Sequence, residues 1–147
     1  MKSLRQIAAD ARRREADAHR EILARTEWLT AGQINARQAV PPIDNEQPAR
    51  EWKESGRIFS LTFDNREHFA AYQFDTECQP LPVIRKIIAE FGPRYDPWQI
   101  AAWFHFPNGW IAGTGDSENE PVAPMEALDR ADDVLRALRF MHGGYVA

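Results

Sequence analysis

Residues 95–115 read Tyr-Asp-Pro-Trp-Gln-Ile-Ala-Ala-Trp-Phe-His-Phe-Pro-Asn-Gly-Trp-Ile-Ala-Gly-Thr-Gly and contain three of the five tryptophans of the chain. Asp96 and Gln99 have the spacing of a capping box, in which two side chains bond the free N–H groups at a helix start. Pro97 suits the first helical position, where no donor is needed. The next residues are apolar on nearly every side, and a helix without a polar face is buried. We expect this helix to form the centre of a helical core and to end at Pro107.

Length and composition favour a small folded protein of one domain or two small ones. The chain has 147 residues, of which 44% are hydrophobic, and its single cysteine, Cys78, allows no internal disulfide. No segment reaches membrane-spanning length, and the N-terminus lacks the apolar region of a signal peptide. We therefore expect a cytoplasmic protein that does not enter a membrane.

Charge is distributed unevenly along the chain. Residues 1–74 carry 12 Lys/Arg against 11 Asp/Glu, whereas residues 75–147 carry 6 against 11. The two halves therefore suit different partners, and the first half is the one able to approach a phosphate backbone without net repulsion.

Residues 1–27 predict an N-terminal helix or arm, with helical spacing from Ser3 to about Arg25. Residues 12–14 are three successive arginines. This charge run is either a solvated helix face or an arm that contacts phosphates or a second copy of the chain.

Residues 28–75 predict two short helices followed by a β-hairpin, the order of a winged helix-turn-helix. Thr30 and Gln33 form a second capping box, and Gly56 ends a short helix that begins near Pro48. Strands at 57–63 and 66–74 flank a two-residue turn, Asp64-Asn65. In such a segment the second helix lies in the DNA major groove, and the hairpin reaches a phosphate or the minor groove.

Four basic residues are the candidate DNA contacts: Arg50, Lys53, Arg57 and Arg66. Trp52, on the short helix that begins near Pro48, is expected to point into the core. Alternatively, they are ordinary surface cations of a small α+β module, an interpretation that Glu51 and Glu54 on the same helix favour.

The sequence shows no evident group of residues that would form a catalytic site. The four histidines are scattered, Gly113-Thr114-Gly115 is too short for a phosphate loop, and Cys78 has no identifiable partner base. We expect a protein that is not an enzyme, with no catalytic residues, cofactor or metal site.

Several segments together resemble the Xre/MbcA/ParS group of bacterial antitoxins. The resemblance covers about residues 50–140 and is carried by Gly-Arg-Ile-Phe-Ser-Leu at 56–61, Ala-Tyr-Gln-Phe-Asp at 71–75 and Pro-Leu-Pro-Val-Ile at 80–84. The helix Asp96–Phe104, followed by Pro-Asn-Gly-Trp-Ile at 107–111, carries most of it. The acidic loop after residue 112 is longer than in that group. The resemblance implies a C-terminal helical module that occludes the active site of a RES-domain toxin, which acts on NAD or transfers ADP-ribose. It also implies a toxin–antitoxin complex that represses its own promoter.

The candidate toxin-binding residues surround that acidic loop. They are Trp110, Ile111, Gly113, Asp116, Glu118, Glu120 and Tyr145. Trp110 is alternatively a lid on the helical core.

The expected fold is mainly α with one β-hairpin. A winged helix-turn-helix-like segment at 28–75 precedes a small helical domain at 80–147 that binds toxin or dimerises. The expected function is that of a type II antitoxin, with a cognate toxin, operator DNA and a second copy of the chain as partners. The alternative is a stand-alone DNA-binding transcriptional regulator of MerR or excisionase type.

Overall fold

A computed structural model describes residues 1–113 and 120–143. These residues form a mixed α/β fold that is about half helical, with antiparallel sheets of three and two strands. The helices are α1 Leu4–Ala24, α2 Ala31–Ala36, α3 Ala49–Glu54, α4 Pro82–Phe91, α5 Pro97–His105 and α6 Ala131–Gly143. The strands are β1 Trp28–Leu29, β2 Leu61–Phe63, β3 Arg66–Ala70, β4 Asn108–Ala112 and β5 Pro121–Val122.

Capping boxes start three of the helices. In α5, the Asp96 carboxylate accepts from the backbone N–H of Gln99 at 2.9 Å, and the Gln99 side chain accepts from the N–H of Asp96 at 2.8 Å. The same exchange joins Thr30 to Gln33 in α2 and Ser3 to Gln6 in α1. The boxes predicted for α2 and α5 are therefore confirmed.

The three-stranded sheet has the order β1-β3-β2, with both pairs antiparallel. The predicted two-residue turn is confirmed, because Asp64 and Asn65 have φ angles of 53° and 58°. The strands are shorter than predicted. The backbone of Phe59 bonds the side chain of Gln73, and residues 71–73 form a 3₁₀ turn, so neither segment continues the ladder.

A second hairpin corrects the expected fold, which had a single one. Strands β4 and β5 pair antiparallel where the sequence indicated only a loop between helices. Just beyond β4, the N–H of Gly113 donates to the carbonyl of Glu120 at 2.8 Å. Strand β5 has two residues, too few to show the alternation by which strands are recognised.

The main hydrophobic core is centred on α4, α5 and α6. Helix α5 is less completely buried than predicted: Phe104 is at 0% exposure, Trp98 and Trp103 are half-buried, and Pro97 and Gln99 are exposed. Ile22, Phe59 and Leu61 from the first half of the chain belong to the same core, so it extends across the expected boundary at 75–80. A smaller core between α2, α3 and the three-stranded sheet contains Leu29, Ala31, Ile34, Ala49, Trp52, Ile58, Phe69 and Cys78.

Among the residues that the structure describes, helix α1 contacts the body through its C-terminal turns. Ile22 is 3% exposed in the main core, and the ring of His19 stacks on Trp98 of α5 with centroids 3.8 Å apart. Glu21 lies 3.6 Å from Nε2 of the buried His105. Residues 11–17 are exposed on every side, so the N-terminal part of the helix extends away from the body.

Candidate nucleic-acid interface

One buried amide organises the connection between α2 and α3. Asn35, 6% exposed, donates from Nδ2 to the carbonyls of Pro42 at 2.9 Å, Asp44 at 3.2 Å and Gln47 at 2.8 Å. These bonds hold the long connecting loop against α2 and position the start of α3. The role of Asn35 is not evident from the sequence, because a single polar residue beside Ile34 gives no signal that a distant loop returns to it.

Helix α3 is amphipathic, with an apolar inner face and a polar outer face. Ala49 and Trp52 are 0% and 7% exposed, so the prediction that Trp52 points into the core is confirmed. Arg50 and Lys53, three residues apart, consequently lie together on the exposed side. Gly56, with φ of +75°, ends this segment as predicted.

An ion pair connects the outer face of α3 to the hairpin. Lys53 forms an ion pair with Glu67 of β3, and the Ser60 hydroxyl donates to the same carboxylate at 2.7 Å. Arg50 pairs instead with Asp44 of the α2–α3 loop, at 3.2 Å. The two cations predicted on this helix are therefore next to the hairpin and already have carboxylate partners.

Glu67 is held ionised by these neighbours. Its partial burial opposes ionisation, but the hydrogen bonds from Lys53 and Ser60, together with the charges of Lys53 and Arg50, outweigh burial and lower its pKa. The influence of Arg50 indicates that both cations of α3 act on this one hairpin carboxylate.

The other two predicted DNA contacts lie on different sides of the segment. Arg66 is exposed at the turn end of β3 and lines a polar groove with Thr30, Asn45 and Glu67. Arg57 is half-buried, with its guanidinium 5.7 Å from the ring centroid of Trp52. It borders a separate groove, formed with Pro80, Leu81, Pro82, Arg85 and Lys86. The structure thus groups Arg50, Lys53 and Arg66 around the hairpin and separates Arg57 from Arg66.

The predicted toxin-binding residues are only partly at the surface. Trp110 is 64% exposed and stacks on Phe140 of α6, with centroids 4.5 Å apart. Ile111 is 0% exposed, so its assignment to the surface is wrong: alternation along β4 turns its side chain inward while that of Trp110 points outward. Gly113 is also buried, whereas Glu120 is exposed. The predictions for Asp116, Glu118 and Tyr145 lie outside the described residues.

Trp110 belongs to a shallow apolar groove. Four of its lining residues are large and exposed: Phe106 at 39%, Trp110 at 64%, Phe140 at 45% and Met141 at 36%. We call these four residues the apolar patch. Such a patch on a folded protein is typical of a protein-binding surface.

Other candidate chemistry is limited in the part of the chain that the structure describes. Burial raises the pKa of the Cys78 thiol, although Arg37 opposes the shift, and the residue is 5% exposed. Among residues 1–113 and 120–143, no three His, Cys, Asp or Glu side chains are grouped to bind a metal ion. No helix of these residues combines the length and apolar character needed to cross a bilayer.

Comparison with known proteins identifies a related fold. No protein-family model matches the chain, and no curated protein sequence matches it. Among solved structures, the chain is similar to an NMR structure of Rv2175c, with a TM-score of 0.63 at 17% sequence identity. The alignment covers 80% of this chain and 82% of that one. The likeness extends over most of both chains, and at this identity it shows a shared fold.

Proposed function

We propose that the protein binds DNA through residues 28–74, with α3 in the major groove and the β2–β3 hairpin on the adjacent backbone. The observation that carries the proposal is the junction between these two elements. Lys53 of α3 and Glu67 of β3 are in contact, so the outer face of the helix and the exposed Arg66 of the hairpin border one surface. A single duplex can contact both at once.

The order of elements supports the same proposal. Strand β1 precedes α2 and α3, the hairpin follows them, and β3 lies between the other two strands. We infer that these two helices and the hairpin act as a winged helix-turn-helix, in which the sheet would support the second helix from behind. Trp52 packs on Phe74 from that side, with centroids 6.1 Å apart.

The existing ion pairs do not oppose DNA binding strongly. Exposed pairs such as Arg50–Asp44 contribute about 0–1 kcal/mol, whereas several phosphate contacts together supply most of the free energy of non-specific DNA binding. Arg50 and Lys53 can therefore exchange their carboxylate partners for phosphates at small cost.

The test is a binding titration with a labelled DNA duplex at several salt concentrations. We expect Arg50→Ala with Lys53→Ala to weaken binding and to reduce the slope of log affinity against log salt by about 1.8, the value for two lost phosphate contacts. Arg136→Ala with Arg94→Ala removes the same charge from the second half of the chain and serves as the matched control. Unchanged binding by the Arg50/Lys53 variant would contradict the assignment of α3 to the groove.

The apolar patch favours a second function, that of an antitoxin. We propose that the patch is the site at which a toxin of the RES type would bind, with the exposed Glu120 at the end of the acidic loop. Affinity would depend on anchors such as Trp110, and the acidic loop would mainly accelerate the encounter with a cationic active site.

Co-expression with the product of an adjacent gene tests this second function. A toxin that arrests growth alone and co-purifies with this chain, but not with Trp110→Ala, supports it. If the neighbouring genes encode no such toxin, the stand-alone regulator of MerR or excisionase type becomes the better description, with the apolar patch used in dimerisation.

A further inference from the structure

The most basic stretch of the chain is at its N-terminus and includes the part of α1 that is exposed in the described structure. Residues 1–14 contain five Lys/Arg and a single acidic residue, Asp10. Lys2 and Arg13 pair with Asp10, whereas Arg5 and Arg12 are exposed and have no carboxylate partner among the described residues. For a protein with a net charge of −4, this concentration of positive charge needs an explanation.

The arginines continue the helix face that contacts the body. Arg5, Arg12 and His19 are spaced by seven residues, and a helix turns back to nearly the same direction, within about 20°, after seven residues. His19 stacks on Trp98 at 3.8 Å. Arg12 and Arg5 therefore extend the Trp98-facing side of α1 by about 10 Å and 20 Å beyond that contact.

Trp98 is also next to the proposed DNA-binding helix. Trp98 and Lys53 line the same groove, together with Ser60, which precedes β2, and Thr62 of β2. Trp98 therefore contacts α1 through His19 and also lines the groove that contains Lys53 of α3. The contact between α1 and the body is thus adjacent to the groove beside the proposed DNA-binding helix.

We propose that α1 is a second DNA-binding element, whose Arg5 and Arg12 contact the phosphate backbone beside the site of α3. This inference rests on the proposed DNA binding by residues 28–74. The contacts are independent of sequence, because guanidinium groups recognise phosphates and not base edges. Phosphates would also relieve the repulsion among the three successive arginines 12–14.

The experiment compares two double variants of the full chain. Arg5→Ala with Arg12→Ala removes the proposed contacts. Arg14→Ala with Arg25→Ala removes equal charge elsewhere, at Arg14 on the opposite face of α1 and at Arg25 just after the helix ends. Binding is measured by fluorescence anisotropy on a labelled mixed-sequence duplex of about 30 base pairs, roughly three helical turns. We expect the salt slope to fall by about 1.8 for Arg5/Arg12 and to be unchanged for Arg14/Arg25. Circular dichroism and light scattering give the helix content and oligomeric state of each variant.

The outcomes separate this inference from the proposed function. A wild-type chain that binds no duplex overturns both. Wild-type binding that depends on Arg50 and Lys53, with an unchanged slope for Arg5→Ala/Arg12→Ala, overturns the inference alone. A loss of dimer in that variant without a change in slope would likewise overturn it, because the arm would then belong to an interface between copies.

Discussion

Lys53 near the end of α3 and Glu67 near the start of β3 form an ion pair that connects the outer face of the helix to the hairpin beside it. The pair has two consequences. It aligns the two elements that we propose to contact DNA, and it places a carboxylate on the surface that phosphates would approach.

Replacing that carboxylate should strengthen DNA binding. In Glu67→Gln, Lys53 loses its competing partner and the surface loses one negative charge, so we expect a several-fold higher affinity and a steeper salt dependence. Glu126→Gln changes the same charge in the second half of the chain and should leave binding unchanged. Equal affinities of Glu67→Gln and wild type, measured by anisotropy, would contradict this prediction.

The same pair makes stability depend on pH in a defined direction. The pKa of Glu67 is lowered in the folded state, so its ionised form stabilises the fold above about pH 4.3, the ordinary value for Glu, and this contribution is lost as pH falls through the folded-state pKa. Wild type should therefore melt at a higher temperature than Glu67→Gln near pH 6, with a smaller difference near pH 3. A difference that grows on acidification would have the wrong sign.

Asn35 offers a test of how the α2–α3 loop is held. Asn35→Ala leaves three carbonyls without their donor and should cost about 1–3 kcal/mol. Asn35→Asp should cost more at neutral pH, because a carboxylate would face carbonyl oxygens that the amide contacts at 2.8–3.2 Å. Urea unfolding measures both. Protonation at low pH should partly rescue Asn35→Asp but not Asn35→Ala, and an Asp variant as stable as wild type would exclude this role.

Alanine substitutions at the neighbouring residues Trp110 and Ile111 should differ in their effect on stability. Ile111→Ala removes a fully buried side chain and should cost about 2–5 kcal/mol. Trp110→Ala removes an exposed ring stacked on Phe140 and should cost about 1 kcal/mol or less, while weakening any complex formed through the apolar patch. Thermal melting distinguishes the two variants. A large loss of stability for Trp110→Ala would mean that the ring is a lid on the core.

Local signals in the sequence account for the features that could be predicted. The capping boxes at Thr30 and Asp96, the Asp64-Asn65 turn and the inward direction of Trp52 each depend on residues within four positions of one another. A few neighbouring side chains determine such features, so these features can be predicted from the sequence before the fold is known.

Features that depend on distant partners were missed. Strands β1 and β5 have two residues each and exist through pairing with β3 and β4. Gln73 is fully buried, and its side-chain amide forms hydrogen bonds with the backbone of Phe59. The residues next to Gln73 in the sequence give no indication of this burial. The surface assignment of Ile111 failed for the same reason, since the alternation of β4 becomes clear only once its partner strand is known.

Amide chemical-shift mapping during titration with a DNA duplex is the sharpest test of DNA binding by residues 28–74. We expect the largest shifts in a ¹⁵N-labelled sample on residues 49–57 of the α3 region and on residues 64–67 of the hairpin, with α5 and the apolar patch little affected. Shifts confined to residues 97–141, or none at saturating duplex, would contradict it.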